Sequence, residues 1–230
     1  MDALVAAAIH DAKNQLSALG VWLAEAQREF AAQTPRSSPA LDRALAITTT
    51  LSTQLVELLA LYRAGEGNLR LAVEDHHLDD FLAEVVAELE QSRPRVQSGD
   101  EGRSDIAISC DFSAAERIGS WAFDAYLVKF ALLDALRNAL RSAVSQVYFS
   151  CAADASGGVR FDVEDDGDGY PGEILSAENG GEMSAGGSGL GLAFARLIAE
   201  RHATPAGKHG ALRLGNDGRG GGAHFELHLP

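Results

Sequence analysis

Four groups of residues have types and spacings that can do chemistry. His10-Asp11-Ala12-Lys13-Asn14 sets an imidazole, a carboxylate and an amide within five positions. Asp134, Asn138 and Arg141 interrupt an apolar stretch at i, i+4 and i+7. Asp166-Gly167-Asp168-Gly169 follows an alternating apolar segment, and Gly187-Ser188-Gly189-Leu190-Gly191-Leu192 opens a helical one.

A neutral imidazole nitrogen is a competent phosphoryl acceptor, and a neighbouring carboxylate can hold the ring and take its proton. Against this, His10 is one of seven histidines, and a lone His-Asp pair carries little weight. On a helix, Asp134, Asn138 and Arg141 line one face over roughly 10 Å, about the reach of a triphosphate with its metal. A carboxylate and an amide are hard oxygen ligands suited to Mg²⁺, and a guanidinium meets phosphate oxygens. The plainer reading of that stripe is a solvated helix face. Gly167 and Gly169 let the backbone approach a flat base, while Asp166 can accept from an exocyclic amine. An Asp-Gly pair is also a common turn. The glycine-rich turn before Leu192 offers free N–H groups and a positive dipole end to phosphates. A dinucleotide-binding turn has similar spacing, but here no strand leads directly into the glycines.

These groups need a scaffold. Val5, Ile9, Ala12, Leu16, Leu19, Leu23, Ala26 and Phe30 alternate spacings of four and three, which predicts a heptad helix. His10, Asp11 and Asn14 fall at b, c and f, outside the seam. Thr34 to Pro39 breaks the helix, with Ser38 as N-cap and Pro39 at the first helical position. Leu41, Leu45, Thr48, Ser52, Leu55, Leu59 and Tyr62 continue the spacing, Ile47, Leu51, Leu58 and Leu61 widen the face, and Gly65 and Gly67 close it. Two such helices form an antiparallel hairpin whose wide apolar faces call for a second copy, giving a homodimeric four-helix bundle.

Beyond the glycines, Asn68 to Glu74 reads as a strand and Leu78 to Gln91 as a helix. Strand alternation follows at Ile106/Ile108/Cys110, Val147/Phe149/Cys151, Val159/Phe161/Val163 and Phe225/Leu227/Leu229. Trp121–Ala143 and Leu190–His202 read as helices, Gly215 to Gly222 as a tight connection between the last two strands, and Glu178 to Ser184 as a lid. The expected fold class is α+β: residues 1–65 as a helical hairpin, then residues 66–230 as a mixed sheet with helices on one face. His76-His77 lacks a third ligand at zinc spacing and reads as a polar interdomain turn.

The net charge of −14 and pI near 4.8 argue against nucleic acid as a partner. No apolar run suggests a membrane span and no basic-then-apolar leader is visible, so the expected location is the cytoplasm. Cys110 and Cys151 suit buried reduced thiols.

From about Ala3 to Pro230 this ordered series resembles the catalytic core of a two-component sensor histidine kinase. The resemblance implies ATP and Mg²⁺, with His10 phosphorylated, Asp11 as base, and Asn14 orienting water in a phosphatase reaction. It implies Asn138 as metal ligand in an Asn138-Ala139 motif, Asp134 beside it, and Asp166 as the adenine contact. Gly167, Gly169 and the Gly187–Leu192 run would hold base and phosphates, with Leu190 and Leu192 packed inward. Lys13-Asn14 is similar to the nitrogen-regulation branch, although Gln15 replaces the usual Pro. An aromatic motif before the lid is missing, and Ala223 stands where Thr is frequent. The implied partners are a second copy and a response regulator receiver domain. Only nine residues precede His10, so the expectation is a shortened form or a chain signalled by a separate sensor protein. Two other readings are a phosphotransfer adaptor with a vestigial ATP domain and a more distant ATPase with an incidental His10.

Overall fold

In a computed structural model of the protein, the described residues are 2–33, 38–92, 106–154, 157–178 and 190–230, with side chains in the first helix described from residue 12. They fall into two units, Met1–Leu69 and Arg70–Pro230.

The first unit is a hairpin of α1 (Asp2–Gln33) and α2 (Pro39–Gly65). Ser38 is the N-cap and Pro39 starts α2, as the sequence predicts, although the Ser38 hydroxyl makes no capping bond. Val56, Leu59 and Ala60 are buried in α2. Thr48 is also buried, its hydroxyl satisfied by donation to Ala44 O at 2.8 Å. The helices come close at Gly20, where an added Cβ would lie 3.6 Å from Thr48 Cγ2. One chain covers only part of the apolar surface: Leu19, Val21, Trp22, Ile47, Leu51 and Leu58 stay exposed, with Trp22 at 74%. Val21 and Trp22 lie outside the heptad seam. By length and composition alone, Arg43–Gly65 is long and apolar enough to cross a membrane, with mean hydropathy 1.5. Its leucines and alanines are interspersed with threonines and Glu57, so no unbroken apolar run marks it in the sequence.

The second unit runs β1 (Glu74–His77), α3 (Leu78–Ser92), β2 (Ala107–Asp111), α4 (Ala115–Ile118), β3 (Ser120–Phe123), α5 (Ala125–Ser142), β4 (Gln146–Asp154), β5 (Gly158–Asp165), α6 (Gly172–Glu178), α7 (Leu190–Arg201), β6 (Ala211–Gly215) and β7 (His224–Leu229). The main sheet has the order β2-β4-β5-β7-β6, parallel only between β2 and β4. Alternation sorts its faces. Val147, Phe149, Cys151, Val159, Phe161, Val163, Phe225, Leu227 and Leu229 are buried, against a layer containing Phe81, Leu82, Leu132, Leu136, Phe194 and Ile198. Edge-to-face ring pairs continue this packing, such as Phe130–Phe194 between α5 and α7 at 6.2 Å. This is the α+β arrangement expected, a mixed sheet with helices, preceded by helices.

Three local readings change. Asn68 to Val73 is irregular and the strand begins at Glu74. Trp121 to Phe123 is strand, not helix, because Asp124 caps α5 by accepting from Leu127 N–H and so sets the helix start at Ala125. His76 and His77 are therefore no turn: they pair with Trp121 and Ser120 in a two-stranded antiparallel sheet. Cys151 is buried, but Cys110 is exposed.

Buried His202 links two helix ends. Its Nδ1–H donates to Ile198 O at 2.7 Å, and its Nε2 accepts the Asp124 N–H at 2.9 Å, an arrangement that requires the neutral ring. Burial holds its pKa below the ordinary 6.5, only partly offset by the Ile198 carbonyl and Asp124. The unfolded chain therefore takes up this proton first on acidification. The contribution of His202 is complete at neutral pH and declines as pH drops below the ordinary histidine value. Urea titrations from pH 7 to 5 are expected to show a smaller acid loss in His202→Gln than in the unaltered chain; parallel curves would exclude this role.

Candidate functional site

The site residues of the second unit gather where α5, β5 and the β6–β7 connection meet. Along α5 the polar residues form a chain of bonds: Asn138 Nδ2 donates to Asp134 Oδ2 at 3.0 Å, and Arg141 donates to Asn138 Oδ1. Burial pushes the Asp134 carboxyl above its usual range, against the pull of Arg141, Asn138 and Arg137. With an amide oxygen one turn away, the donor set fits a hard divalent cation such as Mg²⁺.

The carboxylates closing β5 have different tasks. Asp166 turns toward the α5–β4 junction. Its Oδ1 accepts from Val144, Ser145 and Gln146 N–H at 2.9, 3.0 and 3.0 Å, and its Oδ2 accepts from the Ser145 hydroxyl at 2.5 Å. These donors, Ser145 first, hold its carboxyl far below the usual range. Asp166 thus acts as a staple between strand end and helix end.

Asp165 points the other way and is only 2% exposed. Its Oδ1 accepts from Gly167 N–H at 2.8 Å and Ala223 N–H at 3.2 Å, while Oδ2 accepts from no described residue. Absence of side chains makes this possible. A Cβ on Gly222 would stand 2.3 Å from Asp165 O and 2.6 Å from Oδ1, and one on Gly167 would stand 2.2 Å from Ser142 O. Gly169 turns with φ 78°, and Asn216 clasps the next residue, accepting from Tyr170 N–H at 2.7 Å and donating to Tyr170 O at 2.9 Å.

Asp165 stands outside the Asp166–Gly169 motif, yet the strand's own period marks it. Val159, Phe161 and Val163 alternate onto the core face, and two residues on that face continues to Asp165, while Asp166 falls on the other. Asn216 and the Ala223 backbone carry no motif and could be found only from the fold.

The other expected site residues divide as follows. Leu190, Gly191 and Leu192 begin α7, with Gly191 buried and both leucines half-buried. Gly187, Ser188, Gly189 and the lid expected after Glu178 lie outside the described residues. His10 and Asp11 are on α1, though their side chains are not among those described; Asn14 is exposed on the same helix. Nothing places the hairpin residues against those of the second unit.

Asp162, His224 and Glu226 offer ligand atoms within 4.8 Å of one another on the polar sheet face. Arg160 pairs with Asp162 at 2.9 Å and Arg213 with Glu226 at 3.1 Å, so the negative charge there is already matched. Asp162 and Asp217 flank His224 at 3.0 and 3.3 Å, and the bond from Asp162 leads in raising its pKa. The group is a cross-strand ion network.

Residues 124–230 match the family described as histidine kinase-, DNA gyrase B-, and HSP90-like ATPase. No match was found among curated proteins. Among solved structures, full-length ShkA in complex with AMPPNP matches all of this chain at TM-score 0.65 and 22% identity; the chain spans 46% of its length. The Acinetobacter baumannii histidine kinase AdeS matches 91% of the chain and 94% of its own at TM-score 0.58 and 16% identity. The catalytic domain of histidine kinase ThkA matches 70% of the chain and 98% of its own, at TM-score 0.53 and 18% identity. The segment from Asp124 to Pro230 thus resembles ATPase domains of the histidine kinase, DNA gyrase B and HSP90 type, and the chain shares the fold of these histidine kinase structures.

Proposed function

We propose that the chain is an ATP-dependent protein-histidine kinase that phosphorylates His10 and passes the group to an aspartate of a response regulator receiver domain. The observation that carries this reading is Asp165: a buried carboxylate with one oxygen pinned by two backbone N–H groups and the other accepting from no described residue. Such an oxygen suits an exocyclic amine. The adenine contact expected at Asp166 is accordingly assigned to Asp165, because the carboxylate of Asp166 is occupied by the α5–β4 turn.

Asn138, with Asp134, would ligate Mg²⁺, which when bound neutralises phosphate charge and orients the terminal group. Arg141 and the N–H groups of the Gly187–Leu192 turn would hold phosphate oxygens. Gly167 and Gly169 bring backbone close to the base. His10 accepts the γ-phosphoryl group on an imidazole nitrogen as the bond to ADP breaks, and Asp11 takes the displaced proton. Catalysis is then chiefly positioning and charge neutralisation. Asn14, exposed one turn beyond His10, suits a water-orienting role in dephosphorylation of the regulator. A second copy would cover Leu19, Trp22, Ile47, Leu51 and Leu58, making a homodimeric four-helix bundle, and the chain would act in the cytoplasm.

Incubation of the purified chain with γ-labelled Mg-ATP should give acid-labile, base-stable label, lost in His10→Ala and in Asn138→Ala. Full labelling of His10→Ala would refute the acceptor, and failure to bind nucleotide would favour the adaptor. Asp165→Asn keeps the Oδ1 acceptor but turns the open oxygen into a donor. It should fold normally and lose roughly 100-fold or more in ATP affinity, since an unpaired buried donor is left. Asp166→Ala should instead lose about 1–2 kcal/mol of stability, as for other backbone-capping side chains, with ATP affinity changed far less. Equal affinity losses in the two variants, by calorimetry, would undo the reassignment.

A further inference from the structure

The chain that follows the hairpin is fastened within the ATPase unit at one early point. Ala72 N–H donates to Asp124 Oδ2 at 2.8 Å, while Oδ1 of the same carboxylate caps α5 through Leu127 N–H at 3.0 Å. Asp124 is itself fixed through its backbone N–H, which donates to His202 Nε2 at 2.9 Å, and His202 is tied to Ile198 O. Both side chains are buried, at 5% and 4% exposure. One buried cluster therefore joins the segment entering the unit, the N-terminus of α5 and the C-terminal end of α7. Those helices are the two that carry the nucleotide groups: α5 bears Asp134, Asn138 and Arg141, and α7 begins at Leu190.

We propose that Asp124 and His202 are positioning residues for phosphoryl transfer: with Glu66, Gly67 and Asn68 bonded back onto the last turn of α2, tying Ala72 to the nucleotide-binding helices limits the joint to Leu69–Leu71. The inference rests on the kinase reading above. Without the tie, the next fastening is the pairing of Glu74 with Phe123. Two more free residues lengthen the joint by up to about 7 Å. Transfer between groups on the two units depends on alignment to within about 1 Å, so that slack lowers the rate without touching the nucleotide contacts.

The test uses the full chain and three variants. Asp124→Ser keeps a capping oxygen for α5 but is too short to hold Ala72; His202→Ala removes the acceptor of the Asp124 N–H; His202→Gln supplies an acceptor and a donor in its place. Affinity for Mg-AMPPNP should stay within about threefold in all three, while the His10 labelling rate at saturating Mg-ATP falls at least roughly tenfold in Asp124→Ser and His202→Ala. His202→Gln should recover most of that rate. The Ala72 amide should exchange slowly in the unaltered chain and at least about tenfold faster in Asp124→Ser. An unchanged labelling rate in Asp124→Ser, affinity losses matching the rate losses, or equal amide exchange would each overturn the proposal. Absence of label on the unaltered chain would instead sink the kinase reading, and this role with it.

Discussion

A carboxylate buried at the end of a central strand has to be met by donors, and at Asp165 the backbone supplies them on one oxygen only. Two N–H groups, from Gly167 and Ala223, hold Oδ1. Much of the local design follows from that geometry. Gly222 must lack a side chain to pass over the carboxylate, and Gly167 must lack one to pass Ser142 O. The β6–β7 connection must return close enough for Ala223 to donate. The second oxygen has no described protein donor and can therefore take one from a ligand.

The neighbouring Asp166 shows how two adjacent identical side chains separate. Strand period sends one into the core and the other onto the opposite face, where three backbone N–H groups and a hydroxyl converge on it. Asp166 fastens β5 to the end of α5, and α5 carries the polar ladder. The staple and the buried Asp165 are therefore coupled through covalent neighbours. The hairpin has the converse problem, an apolar surface wider than one chain can cover, shown by Trp22 and Ile47 at 74% and 60% exposure.

Much of this was legible in the sequence, and the reasons differ by element. The helices α1 and α2, the Ser38-Pro39 start and the inward strand residues of β4, β5 and β7 come from local patterns, and each element appears where its pattern puts it. Trp121 to Phe123 was misread because three apolar residues before a long apolar helix look like its first turn; the Asp124 cap decides the boundary. His76 and His77 were misread because their strand exists only through pairing with a segment 43 or more residues away. The choice of Asp166 over Asp165 came from the motif's glycines, whereas continuing the period of two from Val159 would have identified the buried carboxylate. Asn216, His202 and the Ala223 backbone act through tertiary approach and leave no sequence signal.

The most direct measurement is a paired calorimetric titration of the purified chain with Mg-ATP and Mg-ITP, which differ at the base edge by an amine against a carbonyl oxygen. If the open oxygen of Asp165 reads the base, ATP binds and ITP, bringing an acceptor to an acceptor, binds at least roughly 100-fold more weakly. Equal affinities for the two nucleotides would contradict the account.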